Sequence, residues 1–247
     1  MYPIIGVTEG GDPSLNLSWI PKIIDVDGVV VITKNIAPLQ PILLKHSDKI
    51  ILHATITGWG GSQLEPNTPH WLDSFRNLKE LIQAGFPLPH VVVRINPIIP
   101  TGKGLMRADI VMRTIAAYHF PRIRISVLDV YPHVRERLRK IGFSLPFNGF
   151  QADSSIFEEI SELCRKCRKD FPYTEIETCA ETGLKGVRHC GCISEYDLNI
   201  LNIPYDSVDS IGPQRTGCMC YSGKRELLNW KTQCPYGCLY CYWKDPK

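Results

Sequence analysis

Short apolar runs alternate with segments of helical periodicity along the first three quarters of the chain. Residues 3–7, 28–33, 49–57, 90–95, 122–128 and 174–178 are rich in β-branched side chains and read as strands. Several are apolar nearly throughout, as strands of a parallel sheet buried on both faces are. Between them Trp71, Leu72, Phe75, Leu78, Leu81 and Ile82 recur at helical spacing, bounded by Thr68-Pro69 and by Gly85. Residues 105–118 and 155–168 predict two further helices, the second with Ser155 and Glu158 placed as a capping box. Repeated strand–helix–strand units predict an α/β fold with a parallel sheet and right-handed crossovers. About six such units predict a partial (β/α)6 TIM-like barrel over residues 1–178. From 179 to 247 the alternation fades into a Cys-rich region, read as loops folded around ligands and packed on the barrel as one unit.

The chain of 247 residues is 44% hydrophobic and 21% charged, enough apolar matter for one barrel-sized core. A net charge of +3 is too small to imply a polyanionic partner by itself, although Lys and Arg cluster at 135–140 and 165–169. No apolar run is long enough to span a bilayer, and no basic segment precedes the short apolar stretch at the N-terminus. A reducing, cytoplasmic setting is therefore expected, with no membrane partner. Ten cysteines change the picture, because seven of them lie at 190, 192, 218, 220, 234, 238 and 241. Cysteines crowded in this way bind metal or do redox chemistry.

The most specific pattern is Cys234-Pro-Tyr-Gly-Cys238-Leu-Tyr-Cys241. Three thiolates at this spacing can wrap one face of a 4Fe-4S cube and leave its fourth iron without a protein ligand. A zinc site or a ferredoxin-like cluster is the competing reading of the spacing alone. With Tyr240 just before the third cysteine, the run resembles the signature of the radical S-adenosylmethionine superfamily. That resemblance implies that S-adenosylmethionine chelates the open iron and that Tyr240 packs near the adenine. It also implies an electron donor such as flavodoxin or ferredoxin, and a 5'-deoxyadenosyl radical that abstracts hydrogen from a substrate.

In most of that superfamily the motif follows the first barrel strand, whereas here it ends the chain. Circular permutation restores the order: the strand leading into Cys234 becomes the first, and residues 4–7 become the second. The turn Thr8-Glu9-Gly10-Gly11-Asp12-Pro13 then resembles the superfamily segment that receives the amino group of S-adenosylmethionine, an ordinary βα turn being the alternative. A narrower resemblance covers nearly the whole chain. It is to a bacterial and phage family, a domain of unknown function with its cysteine motif at the C-terminus. It rests on Thr33-Lys34-Asn35, Thr57-Gly58-Trp59-Gly60, Glu65-Pro66, Arg94-Ile-Asn96-Pro97, Asp129-Val-Tyr131, Cys179-Ala-Glu181, Gln214-Arg215 and Cys218-Met-Cys220. The chain departs from that family at Glu9–Asp12 and at Asn96.

Cys179, Cys192, Cys218 and Cys220 fall where the narrower family also carries cysteine. Four thiolates would close a second site, a 4Fe-4S cluster or zinc, with Cys190 as a substitute ligand. Cys164 and Cys167 share a helical face with Ile156, Ile160 and Leu163 and read as core. Barrel chemistry sits at the C-terminal ends of strands. Those ends offer Lys34 and Asp129 as proton-transfer candidates, and Gly10, Gly11, Asp12, Thr57, Arg94, Asn96 and Tyr240 as cofactor-binding candidates. Arg94 is suited to a carboxylate or ribose of S-adenosylmethionine, an internal salt bridge being the alternative. Trp59 is a candidate for stacking on a flat ring, while His53 and His133 read as packing or surface residues. The expected activity is hydrogen abstraction from a nucleobase or nucleic acid, or else from an amino acid or peptide. The competing class is a non-catalytic zinc or iron–sulfur module that binds nucleic acid through its basic helices.

Overall fold

A computed structural model describes residues 3–179, 181–204, 218–228 and 234–243. Gln214, Arg215 and residues 229–233, which lead into Cys234, lie outside the described residues. Among the described residues eight strands form one wholly parallel sheet: β1 (Ile5–Val7), β2 (Gly28–Thr33), β3 (Ile50–Thr55), β4 (Val91–Ile98), β5 (Arg122–Val127), β6 (Glu175–Thr178), β7 (Arg188–His189) and β8 (Lys224–Glu226). Their order is β7-β6-β5-β4-β3-β2-β1-β8. The expected six-strand partial barrel is thus corrected to an eight-strand sheet that does not close, with β7 and β8 as its edges. The two extra strands are short and polar, so no apolar run marked them.

The sheet nevertheless curls strongly. In a flat parallel sheet its two edges would stand roughly 34 Å apart, seven spacings of about 4.8 Å. Instead the amide of Cys192, just past β7, donates to Cys220 Sγ, just before β8, at 3.0 Å. The amide of Tyr221 likewise donates to the carbonyl of Ile193 at 3.1 Å. β8 lies parallel beside β1, pairing Ile5 with Lys224 and Val7 with Glu226. Among the described residues the last strand of the chain thus lies beside the first in space.

Alternation along each strand explains the two faces. Val29, Val31, Leu52, Ala54, Val93, Ile95, Ile123 and Ile125 belong to one apolar cluster on the outer face. Against it pack α1 (Gln40–Lys45), α2 (Trp71–Gln83), α3 (Gly102–Ala117), α4 (Pro132–Lys140) and α5 (Ser154–Asp170), through residues such as Leu43, Phe75, Met112, Leu138 and Ile160. Each such side chain contributes about 1.5–3 kcal/mol by leaving water. Ile5, Val7, Val30, Ile51 and Val92 face the other way and meet Leu198 of α6 (Glu195–Ile200). Cys164 and Cys167 are fully buried in the outer core, as their helical face implied. Helix starts differ from the expected ones in detail: α2 is capped by His70, α3 by Thr101, and α5 begins at Ser154 behind Asp153 with no side-chain cap bond. The capping box over Ser155 and Glu158 is therefore not formed.

Candidate functional site

The C-terminal ends of β1 to β6 and the cysteine-rich segments enclose one cavity of about 750 Å³. That volume suits a small-molecule ligand or cofactor. Cys234, Cys238 and Cys241 line one part of it, and Cys179, Cys192, Cys218 and Cys220 another. Gly10, Gly11, Asp12, Lys34, Arg94, Asn96, Asp129 and Tyr240 also face it, so most of the sequence-nominated residues converge.

The loop carrying Cys234, Cys238 and Cys241 turns at Gly237, whose φ of +60° favours glycine. It rests on the segment between β3 and α2: the Leu239 amide donates to Leu64 O at 3.0 Å, and Asn67 Nδ2 to Pro235 O at 2.9 Å. From α4, Arg137 donates to the carbonyls of Cys241 and Trp243 at 2.8 and 2.6 Å. Beneath the loop, Glu65 is 3% exposed and accepts from Tyr240 Oη and Thr57 Oγ1, from Thr68 Oγ1 at 3.0 Å, and from Lys34 Nζ at 3.2 Å. Burial pulls the Glu65 carboxyl upward, but the Lys34 charge and the Thr57 and Tyr240 hydroxyls outweigh it and hold the pKa below the ordinary value. Burial depresses Lys34, yet the charges of Glu65 and Cys238 raise it overall. Burial also pushes the Cys238 thiol up to about 12. Lys34 and Thr57 are thus members of a buried network tied to the cysteine loop. Glu65, its centre, was visible only as part of Glu65-Pro66, with no role attached.

The second set is tighter. Ligand atoms of Cys179, Cys192 and Cys220 all lie within 4.8 Å of one another, and no other His, Cys, Asp or Glu trio converges so closely among the described residues. Cys220 is pushed down to about 4 because the thiols of Cys179 and Cys192 donate to it, and Cys179 is raised in return. Three sulfurs at this distance are what a metal requires. Cys218 also bonds with Cys220, whereas Cys190 turns to Glu177.

Other nominated residues have occupations inside the fold. The Asp12 carboxylate accepts from Ser14 N and Oγ, Thr33 Oγ1 and Lys34 N, at 2.7–3.0 Å. Gly10 donates its amide to Glu226 Oε2 at 2.9 Å, and a Cβ on Gly10 would stand 2.9 Å from the carbonyl of Leu228. The bare backbone at Gly10 is therefore required by the chain itself, whatever ligand lies beyond. Trp59 is buried, with the Arg107 guanidinium 4.5 Å from its ring centre and Phe143 against its edge, so it offers no open face for stacking. His53 is fully buried on β3 and held neutral by burial and by the charges of Arg124 and Arg94. Below the cavity, Arg122 and Arg124 pair with Glu177 at 3.0 and 2.6 Å, and Arg122 pairs with Asp197 at 2.6 Å.

Fold and site together define a parallel α/β protein with a ligand-sized cavity and a cysteine group able to hold a metal. The chain belongs to the family described as "Domain of unknown function (DUF1848)", whose model matches residues 18–243. No curated protein and no solved structure matches it. No helix among the described residues is long and apolar enough to cross a membrane.

Proposed function

We propose that this chain is a radical S-adenosylmethionine enzyme. The observation that carries the reading is the placement of Cys234, Cys238 and Cys241 on one wall of the cavity formed by the strand ends. A single tetrahedral ion with metal–sulfur bonds of about 2.3 Å brings its sulfurs to about 3.8 Å. Cys234, Cys238 and Cys241 are not among the sulfurs that lie within 4.8 Å of one another, and a cube would bind each thiolate at a separate iron. Bound there, a 4Fe-4S cluster with one open iron would pass an electron to S-adenosylmethionine, giving methionine and a 5'-deoxyadenosyl radical that takes hydrogen from a substrate. Leu64, Asn67 and Arg137 hold the loop backbone in place, and Tyr240 is fixed by Glu65 and Lys34. Burial pushes the Cys238 thiol up, and the positive charge of Lys34 beside it opposes that rise. The position of β8 beside β1 supports the permuted strand order. Flavodoxin or ferredoxin is the fitting electron donor.

The Cys179, Cys192 and Cys220 trio forms a second metal site, which we read as a cluster or a zinc with Cys218 as fourth ligand. A nucleic-acid-binding module is less well supported, because much of its basic surface is engaged. Arg135 donates to the Phe147 and Gly149 carbonyls, Arg137 to the cysteine loop, and Arg139 and Arg165 pair with Glu136 and Glu162. Anaerobic purification tests the reading. Iron, acid-labile sulfide and a reducible paramagnetic cluster are expected, and changing Cys234, Cys238 and Cys241 to Ala should remove the share held by that loop while leaving the metal of the second site; colourless protein holding only zinc would contradict it.

A further inference from the structure

The inner face of β4 and β5 carries three guanidinium groups, Arg94, Arg122 and Arg124, of which the last two meet the carboxylates of Glu177 and Asp197. Arg122 and Arg124 take both carboxylates. Arg94 stands beside Arg124 in the β4–β5 register, with Thr55 on its other side in β3. Its Nε is buried without a hydrogen-bond partner, and among the described residues its guanidinium has no ion-pair partner. The side chain lines the cavity. A half-buried guanidinium beside a second one is costly unless an oxyanion completes it, and its planar fork matches a carboxylate or a phosphate.

We propose that Arg94 is the receptor for a carboxylate or phosphate group of the substrate, so that the substrate is an anion. The assignment to substrate rests on the function proposed above. There the methionine carboxylate of S-adenosylmethionine would be taken by the open iron, its adenosine carries no acid, and its sulfonium is a cation that Arg94 would repel. The proposal excludes a bare nucleobase and selects, from the substrate classes considered, a nucleotide or a carboxylate-bearing amino acid or peptide.

The test compares thermal melts of the full chain and its Arg94→Met and Arg94→Lys variants in chloride, inorganic phosphate and acetate at equal ionic strength. Wild-type protein should melt about 3–6 °C higher with phosphate or acetate at ten times its Kd. Arg94→Met should lose that rise and, in chloride, melt no lower than wild type, because an uncompensated charge has been removed. Arg94→Lys should keep part of the rise. A lower melting point for Arg94→Met in chloride would make the arginine a structural residue and overturn the proposal. So would an anion effect that survives the substitution, or the absence of any effect in wild type. In cluster-reconstituted protein, Arg94→Met should bind S-adenosylmethionine as wild type does. Selective loss of that binding would assign Arg94 to the cofactor instead. If wild type itself binds no S-adenosylmethionine, the proposed function fails while the anion measurements still stand.

Discussion

Replacing Glu65 by Gln probes the network that seats the cysteine loop. The glutamine keeps the shape and one acceptor for Tyr240 and Thr57, but removes the charge opposite Lys34 Nζ, 3.2 Å away. Both side chains are largely covered, Glu65 at 4% and Lys34 at 17% exposure. Removing one partner of a fully buried pair costs about 3–5 kcal/mol. Lys34 retains the Tyr240 hydroxyl at 2.9 Å and some access to solvent, which lowers the expected loss to about 2–3 kcal/mol. For a chain of this length that is a fall in Tm of about 4–12 °C. Urea unfolding at pH 7, followed by circular dichroism, measures it. The double variant Glu65→Gln, Lys34→Met should recover stability relative to Glu65→Gln alone, since no ammonium is then left beside an amide. A single variant within about 1 kcal/mol of wild type, or a double variant showing no coupling, would refute the reasoning.

Further outcomes follow from the other sites. Cys220→Ser should release the metal of the second site, measured as a loss of bound zinc or iron, while Cys164→Ala should leave metal content unchanged because that thiol lies in the outer core. Glu177 is drawn upward by burial but held below its ordinary pKa of 4.5 by Arg124 and Arg122. A carboxylate depressed in the folded state stabilises above its unfolded pKa and loses that contribution as pH falls through the folded one. The stability difference between wild type and Glu177→Gln should therefore be constant near neutrality and shrink below pH 4.5, as acid titrations of both proteins would show. A difference independent of pH would contradict the assignment.

Much of the fold was legible because apolar runs such as Val29–Ile32 and Val91–Val93 are fit only for strands covered on both faces. The alternation Arg122-Ile-Arg124-Ile-Ser126 also stated that one face of β5 is polar, yet a set of charges on an inner face makes sense only once Glu177 and Asp197 are seen opposite. A strand before Cys234 was expected only from the order of the motif and without bounds, because the Lys-Arg-Glu of β8 carries no apolar signal; the place of β8 comes from pairing with β1, some 220 residues away along the chain. Cys179, Cys192 and Cys220 were legible as a group that could hold a metal, since thiols are few and their clustering is informative. Glu65 was not, because a glutamate in a polar loop looks like a solvated one until Tyr240 is folded onto it. Trp59 misled for the opposite reason: flanking glycines suggested an open ring, whereas Gly60 is needed because a Cβ there would collide with the Pro69 carbonyl.

The most direct measurement of the central claim is formation of 5'-deoxyadenosine from S-adenosylmethionine, with dithionite as reductant, by anaerobically reconstituted full-length protein. Wild type should form it, and the variant in which Cys234, Cys238 and Cys241 are all Ala should form none above the protein-free background, because no thiolates remain to hold a cluster with an open iron. Cleavage that continues undiminished in the triple variant, or no cleavage by wild-type protein that demonstrably carries its cluster, would contradict the account.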